Sequence, residues 1–427
     1  MPSQAIPDVQ EHYKSSTKIV DGGVGYLTTQ QEQALKDLWT KIISHFESTA
    51  STPIAVTHDQ VQLDGIAAAQ ISTDSPEKAA KWYSENQSRV TDIKYQTVGD
   101  KLYLGGQHLA IVPATFKPLF GDNPQSRYFR NVFWRACTLH NNPDSYLLAF
   151  LRATGWNVAT AFDKIVHAVN WRAAQALDRL MWDGELIQNS KLMEAGLSIR
   201  AGHDRFGYPV MVVRVRLNNS RERGEGVVER FSAYALERAA IIARKHGERA
   251  TLLYDFSGFK MDNIDTAFIK TLLTMINESY PQTFSVTILF VNSWLFTGIW
   301  KLIRSWLDPV IAKRTLICKD VGQLSVFIDP SQIMSDMGGE LKYSYSYTYP
   351  TTEENARMFD TEGRQQAEDA LVSAVAAFEQ DTRAWISGSG VSSHCAEPRI
   401  QAAANFSNAA HTLDPYIRSR FTTERAN

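Results

Sequence analysis

The sequence predicts an α/β protein in which an all-helical part precedes a largely parallel sheet. Between residues 128 and 181 the apolar side chains recur at helical spacing, whereas after Gly196 strand-like and helix-like segments alternate. Strands separated by helices of this length form βαβ units, which run parallel with right-handed crossovers. The predicted strands are residues 210–217, 250–256, 284–291 and 314–318, and the helices between them are residues 226–246, 262–280 and 296–306.

The composition is that of an ordinary globular chain. Its 427 residues are 44% hydrophobic and 21% charged, and 44 basic against 46 acidic residues leave a formal charge of −2. This balance argues against a polyanion-binding protein, so we expect no nucleic-acid partner. The three cysteines lie far apart and form no CxxC pair. We therefore expect no disulfide framework, no metal site and no cofactor.

Two segments of the sequence indicate where in the cell the protein is expected. The amino terminus lacks a basic stretch followed by an apolar one, which argues against a secretory signal. The most apolar stretch, residues 286–306, is interrupted by polar and basic residues and does not reach the length that spans a bilayer. We expect a cytoplasmic protein that becomes peripheral on membranes where such an aromatic, basic stretch meets them.

The pattern divides the chain into five units. Residues 1–27 are expected to be a flexible amino terminus, and residues 28–127 a helix, at 28–47, followed by a variable region with a strand pair around residues 95–110. Residues 128–195 form the helical domain and residues 196–345 the α/β domain. Residues 346–427 form a helical extension, with a helix near residues 363–386.

Several motifs between residues 128 and 339 occur in order at the spacing of a known family. They are Asn142-Pro143-Asp144 through Leu151-Arg152-Ala153, Asn170-Trp171-Arg172, Gly202-His203-Asp204 through Pro209, Leu253-Tyr254-Asp255-Phe256, and Trp294 through Leu307-Asp308-Pro309-Val310 with Gly338-Gly339. Together they resemble the CRAL-TRIO, or Sec-fourteen-like, lipid-binding and transfer proteins, in particular a fungal subgroup. The resemblance implies an α/β lipid-binding domain whose sheet floors a deep hydrophobic pocket, closed by a mobile helical gate around one lipid or other apolar molecule.

The pocket is expected over strands 251–256 and 284–291, beneath a gate at residues 296–306. Apolar and aromatic side chains desolvate most of the ligand in such a pocket. The expected ligand contacts are Phe290, Trp294, Phe296, Ile299, Trp300, Ile303 and Leu307. Five basic residues and one acidic residue lie between Trp300 and Lys319. They fit either a solvated face or a transient contact with an anionic membrane surface.

The resemblance also implies a headgroup site. Family members that carry phosphatidylinositol use an arginine of an LRAR motif, a glutamate after a Tyr-Pro turn, and a threonine and a lysine after LDPV. The matching residues here are Thr154, Gln282, Ile311 and Arg314. Only the last keeps its charge, and a phosphate needs cationic, preferably forked, donors. The sequence therefore predicts that this site is largely lost and that phosphatidylinositol binds poorly.

A second function stays open at this stage. The same pocket could belong to an enzyme of secondary metabolism that folds and cyclises a terpenoid or polyketide, for example a pericyclase of the Diels–Alder type. Holding reacting ends together lowers the barrier without a nucleophile or a metal. Tyr254 and Arg314 are the candidate hydrogen-bond donors for that chemistry. The sequence has no GxSxG, HExxH or P-loop motif, so hydrolase, metalloprotease and nucleotide-hydrolysing functions lack support.

Overall fold

A computed structural model describes residues 22–52, 54, 95–98, 101–104, 128–175, 177–188, 190–219, 227–291, 296–307, 315–350 and 353–425. Most of the expected flexible amino terminus and variable region therefore lies outside the described residues. Within them the predicted α/β class is confirmed: helices surround one five-stranded, mostly parallel sheet, and β1 and β2 form a separate antiparallel hairpin.

The strands are β1 (Tyr95–Val98), β2 (Lys101–Leu104), β3 (Ser198–His203), β4 (Pro209–Arg214), β5 (Ala250–Asp255), β6 (Phe284–Phe290) and β7 (Thr315–Cys318). The helices are α1 (Thr29–Ser48), α2 (Phe129–Cys137), α3 (Pro143–Ala153), α4 (Val158–Ala174), α5 (Leu177–Asp183), α6 (Ser190–Ala195), α7 (Val227–Arg244), α8 (Thr266–Ser279), α9 (Phe296–Arg304), α10 (Val321–Leu324), α11 (Thr361–Ser387), α12 (Glu397–Ile417) and α13 (Thr422–Arg425). Short 3₁₀ turns cover Gly184–Ile187, Val215–Leu217, Met261–Asn263, Pro330–Gln332, Ser335–Met337 and Glu353–Phe359.

The strand order of the large sheet follows the chain, β3-β4-β5-β6-β7. The β3–β4 pair is antiparallel, and the three pairs from β4 to β7 are parallel. When parallel strands follow one another in order, right-handed crossovers put all connecting helices on the same side of the sheet. We call the side that carries α7, α8 and α9 the front face and the other side the back face.

The back face is covered by the chain that follows β7. Strand side chains such as Val212, Leu253 and Ile288 pack there against Leu324, Phe327 and the segment that leads to Tyr345. Their side chains are almost completely buried. Because successive residues of a strand point to opposite faces, Met211, Leu252 and Leu289 occupy the front face instead.

Two strand boundaries differ from the sequence-based expectation. The strand predicted at residues 210–217 ends at Arg214, because its neighbour β5 ends at the paired residue Asp255 and leaves nothing further to pair with. The sequence pattern did not predict β3, whose Gly202 has a φ of +70° and approaches the backbone of Gln332 so closely that a Cβ there would lie 2.3 Å from its carbonyl oxygen. Such a residue weakens the local strand signal.

The helical parts of the chain share one hydrophobic core. Apolar residues of α1 pack with those of α2, α3 and α4 and with those of α11 and α12. The expected first helix is confirmed, and Thr28 caps it: its hydroxyl accepts from the Gln31 amide while the Gln31 side chain accepts from the Thr28 amide. The carboxyl-terminal extension therefore completes the core of the amino-terminal helices.

A buried ion pair crosses that core. Arg399 of α12 donates two hydrogen bonds to the Asp144 carboxylate of α3, at 2.7 and 2.8 Å, and neither side chain is more than 1% exposed. Trp39 of α1 donates its indole N–H to the same carboxylate at 2.7 Å. The guanidinium also lies over the rings of Phe378 and Trp385, at 4.6 and 4.7 Å. Three distant segments are thus fixed at one carboxylate.

A second buried cluster joins the helical part to the α/β domain. Arg172 of α4 donates to both Glu237 oxygens, at 2.8 and 3.0 Å, and to Asp178 at 2.8 Å. The Tyr280 hydroxyl donates to Glu237 at 2.6 Å. The neighbouring Glu237 and Asp178 carboxylates outweigh burial and hold the pKa of Arg172 well above its usual value. Because Glu237 belongs to α7 and Tyr280 follows α8, this cluster fixes the positions of α7 and α8 relative to the helical part.

We predict that Arg399→Met strongly destabilises the protein, because it leaves the Asp144 carboxylate buried without a cation. The free energy of unfolding, measured by denaturant titration, should fall by about 3–5 kcal/mol. Arg383→Met is the matched control, since Arg383 and its partner Glu47 are about half exposed. Its effect should stay within about 1 kcal/mol. Equal losses in the two variants would contradict the role given to the buried pair.

Candidate functional site

An apolar cavity of about 170 Å³ lies between the front face of the sheet and the helices α7, α8 and α9. Alternate residues of β4, β5 and β6 form its floor, and helical residues at spacings of three and four form its walls. The floor includes Met211, Val213, Leu252, Tyr254, Phe284, Thr287, Leu289 and Thr315. The walls include Val228, Phe231, Ser232, Ala235, Leu236, Ala239, Phe268, Ile269, Leu272, Leu273, Ile276, Trp300, Ile303 and Leu307.

The apolar face of α8 is incompletely covered. Ile269, Leu272, Leu273 and Ile276 all line the cavity, yet each of them keeps part of its surface accessible. Ile303 of α9 likewise lines the cavity and keeps part of its surface accessible. Aliphatic side chains on the inner side of a helix normally pack against other side chains. Here they face unfilled space, which is the arrangement of a site that takes an apolar ligand.

The structure brings part of the expected ligand set together. Trp300, Ile303 and Leu307 line the cavity with Tyr254. Phe296 is buried beside it, 4.6 Å from Phe256 between ring centroids, and it stacks on Trp300 at 6.2 Å. Phe296 therefore anchors the start of the gate helix rather than lining the cavity.

The other expected contacts are not part of the described lining. Ile299 falls within α9, whose bounds are described. Trp294, Ile311 and Arg314 lie outside the described residues, so the structure gives no position for Arg314 as a catalytic donor.

Phe290 is a correction. It was expected in the pocket, but it belongs to the buried cluster on the back face, together with Ile288 and Val286. Its neighbour Leu289 takes the place on the front face. At the end of β6 both faces of the strand are buried, so successive residues are all apolar. The sequence therefore shows no alternation of apolar and polar residues from which the two faces could be told apart.

The walls contributed by α7 and α8 were not foreseen as ligand-binding. The sequence analysis treated both as ordinary connecting helices and placed the pocket between strands and gate. A signal did exist: the inner half of α7 is almost continuously apolar or small, and fifteen of its eighteen residues are buried. A helix with such a broad apolar surface faces more than one packing partner.

The expected headgroup residues do not meet as the sequence suggested. The Thr154 hydroxyl donates to the Phe150 carbonyl at 2.9 Å, at the end of α3, and not to Gln282. Gln282 instead accepts a hydrogen bond from Nε of Arg152, at 2.6 Å. The Arg152 guanidinium, and not the Thr154 side chain, is thus hydrogen-bonded to Gln282.

Arg152 and Gln282 border a second, polar cavity of about 220 Å³. Its lining also includes Gly23, Val24, Tyr26, His140, Ser145, Ala149, Gly247, Glu248, Arg249, Pro281 and Thr283. Burial lowers the pKa of Arg249. The Glu248 carboxylate accepts from the Asn141 amide and contacts the His140 ring, and these contacts outweigh burial and lower its pKa. The cavity combines two guanidinium groups with one carboxylate.

The gate helix presents basic residues outward. Lys301 and Arg304 are exposed, and Leu302 between them is 45% exposed. Nearby, the ammonium of Lys270 on α8 lies 4.7 Å from the ring centre of Trp306. The outer surface of the gate thus carries cationic and apolar groups side by side, directly above the apolar cavity.

Comparison with known proteins identifies this domain. Residues 193–339 match the family described as the CRAL/TRIO domain, as the motifs had suggested. The chain is 26% identical over 415 residues to CRAL-TRIO domain-containing protein C3H8.02 of Schizosaccharomyces pombe, which covers 93% of this chain and 90% of that protein. It is 29% identical to the phosphatidylinositol transfer protein CSR1 of Eremothecium gossypii, over 65% of this chain and 66% of that protein. It is 23% identical to the phosphatidylinositol transfer protein PDR17 of Saccharomyces cerevisiae, over 47% of this chain and 58% of that protein.

Within the described ranges, the helices are all too short or too polar to cross a bilayer. The same residues contain no cluster of three or more histidine, cysteine or acidic side chains that would suit a metal ion.

We predict that Ala235→Trp blocks the cavity while Phe290→Leu does not. Ala235 lines the cavity, so an indole there occupies ligand space, whereas Phe290 lies on the back face. Titration with an apolar, environment-sensitive fluorophore should show at least tenfold weaker binding for Ala235→Trp and unchanged binding for folded Phe290→Leu. The latter should lose about 1 kcal/mol or more of stability. Equal loss of fluorophore binding in both would contradict the assignment of the two faces.

Proposed function

We propose that this protein binds one lipid or lipid-like molecule in the front cavity and exchanges it at membrane surfaces. The observation that carries the proposal is the set of aliphatic side chains on α8 and α9 that face unfilled space above the sheet. The names of the two relatives given as phosphatidylinositol transfer proteins point the same way. Burial of apolar ligand surface against these walls supplies the affinity.

The gate has to move for this function. A cavity of about 170 Å³ is below the roughly 300–1,000 Å³ of ligand pockets, so α9 must shift outward to admit a lipid. The contact of Phe296 with Phe256 holds one end of α9, and Gly298, two residues further on, has open space where a Cβ would stand. We propose outward rotation about this end, with Lys301 and Arg304 meeting anionic lipid headgroups.

Vesicle binding tests the membrane part of the proposal. Lys301→Ala with Arg304→Ala should weaken association with vesicles that contain phosphatidylserine about tenfold to thirtyfold, because each basic group near the surface contributes about 1 kcal/mol. Binding of the unaltered protein should also fall as salt is added. Sedimentation with vesicles measures both effects.

The matched control is Lys342→Ala, an exposed basic residue in the segment that covers the back face. It should bind vesicles as the unaltered protein does. A loss equal to that of the gate variant would point to net charge rather than to the gate.

We further propose that the chain discriminates against phosphatidylinositol through Gln282. Arg152 supplies a cationic donor, but the amide of Gln282 cannot accept with the strength of the glutamate that the family pattern places there. Ile311 and Arg314, the remaining positions of that pattern, lie outside the described residues. Because the Arg152 guanidinium still offers a cationic donor beside Gln282, we expect the discrimination to be partial.

Gln282→Glu should raise the rate of phosphatidylinositol transfer between vesicles about threefold to tenfold relative to phosphatidylcholine. Thr154→Arg is the control, because Thr154 points to the end of α3 and not to Gln282. Fluorescent analogues of both lipids report the two rates in one assay. A gain in Thr154→Arg that matches the gain in Gln282→Glu would show that Thr154 and not Arg152 belongs to the site.

The cyclase alternative has no structural observation of its own. Of its two candidate donors, Tyr254 borders the cavity and Arg314 lies outside the described residues. No lysine, arginine or histidine lines the cavity in the part of the chain that the structure describes. We therefore propose the carrier function alone.

A further inference from the structure

The hydroxyl of Tyr254 has no hydrogen-bond partner among the described residues, although it sits in the floor of the apolar cavity. Tyr254 is on the front face of β5, paired in register with Val213 on one side and with Leu289 on the other. All three line the cavity. The phenol is therefore flanked along the sheet by aliphatic side chains. Burial alone raises its pKa, so the phenol stays protonated and keeps a hydrogen to donate.

A buried hydroxyl is normally hydrogen-bonded, because it loses its water on burial. Tyrosine in an apolar environment usually finds a partner for its hydroxyl. A phenylalanine would fill the same floor position without burying a hydroxyl that lacks a hydrogen-bond partner. A tyrosine whose hydroxyl faces an unfilled cavity is therefore expected to find its partner in whatever fills the cavity.

A second unpaired group lines the same cavity. Asn218, which is 8% exposed, directs its side-chain amide N–H toward the Asn263 carbonyl, and its Oδ1 is buried without a hydrogen-bond partner. Like the phenol, it is uncharged. The one ionisable carboxylate in the described lining, Asp265, is engaged at the start of α8, where it accepts from the Phe268 amide at 3.0 Å.

These groups restrict the chemistry of the enclosed part of the ligand. An ionic group placed there would be desolvated without a counter-charge, which is strongly unfavourable. A pure hydrocarbon would leave the Tyr254 hydroxyl and Asn218 Oδ1 unpaired. We propose that the cavity takes a mainly apolar molecule that carries a neutral hydroxyl or carbonyl group within its apolar body, and that Tyr254 selects it by a hydrogen bond.

This inference rests on the proposed function, since it concerns the ligand of the same cavity. It assigns Tyr254 a role in specificity and not in a chemical step. It also separates the two cavities: the front cavity recognises the body of the ligand, whereas the polar cavity at Arg152 lies in a different part of the protein, lined by other residues.

The test uses three probes that share one carbon skeleton: a bicyclic sesquiterpene hydrocarbon, its alcohol and its ketone. Each displaces an apolar fluorophore from the purified full chain, and the affinities are compared within each variant. In Tyr254→Phe, affinity for the alcohol and the ketone should fall about tenfold, the usual effect of losing one hydrogen bond in an apolar site. Affinity for the hydrocarbon should stay the same or rise slightly, because no hydroxyl is left unpaired.

The matched control is Leu289→Met, which changes the shape of the neighbouring floor position without changing its hydrogen bonding. It should shift all three probes by the same factor. If Tyr254→Phe also shifts all three equally, or shifts none, the hydroxyl does not select the ligand and the inference is wrong while the proposed function stands. If the unaltered protein binds neither the fluorophore nor any of the three probes, the proposed function fails and takes the inference with it.

Discussion

Both faces of the five-stranded sheet are apolar and have to be covered, and the order of the strands dictates how. Because β4 to β7 follow one another in the chain, their crossover helices collect on the front face and leave the back face to later parts of the chain. The segment after β7 covers the back face with close-packed side chains such as Phe327. The helices α7, α8 and α9 cover the front face without packing fully against it, and the space left between helices and sheet is the cavity. The cavity proposed as the ligand site thus arises from a topological constraint.

The two buried ionic clusters hold the helices in positions that keep the cavity open. Aliphatic walls that lack packing partners tend to collapse onto each other, which would close the cavity. Arg172 from the helical part donates to Glu237, which also accepts from the Tyr280 hydroxyl, so α7 and the end of α8 are fixed from outside the pocket. The pair between Arg399 and Asp144 fixes the helical part in turn. Such pairs add little net stability compared with an apolar core, but they restrict the positions that their helices can adopt.

Polar side chains line two separate cavities. Arg152 and Gln282 border a polar cavity that contains two guanidinium groups, whereas the described front cavity offers only neutral hydrogen-bonding groups and a carboxylate already used in a helix cap. A carrier with this division can vary its charged contacts and its apolar contacts independently. Replacing a glutamate by Gln282 alters the first without disturbing the packing around Tyr254. This separation is consistent with one family fold serving ligands of different chemistry.

The sequence by itself determined the class of fold, the parallel pairing, the first helix and the position of α9, because periodicity is a local property. It also identified the family from motifs in order. Only the tertiary structure decided which face of β6 lines the cavity, since a strand buried on both sides carries no alternation and Phe290 and Leu289 are equally apolar. The same holds for β3, which forms only because β4 offers it a partner. The meeting of Arg152 with Gln282, which are 130 residues apart in the chain, depends on how α3 docks near the start of β6. Contacts between distant segments follow from packing, and no local pattern records them.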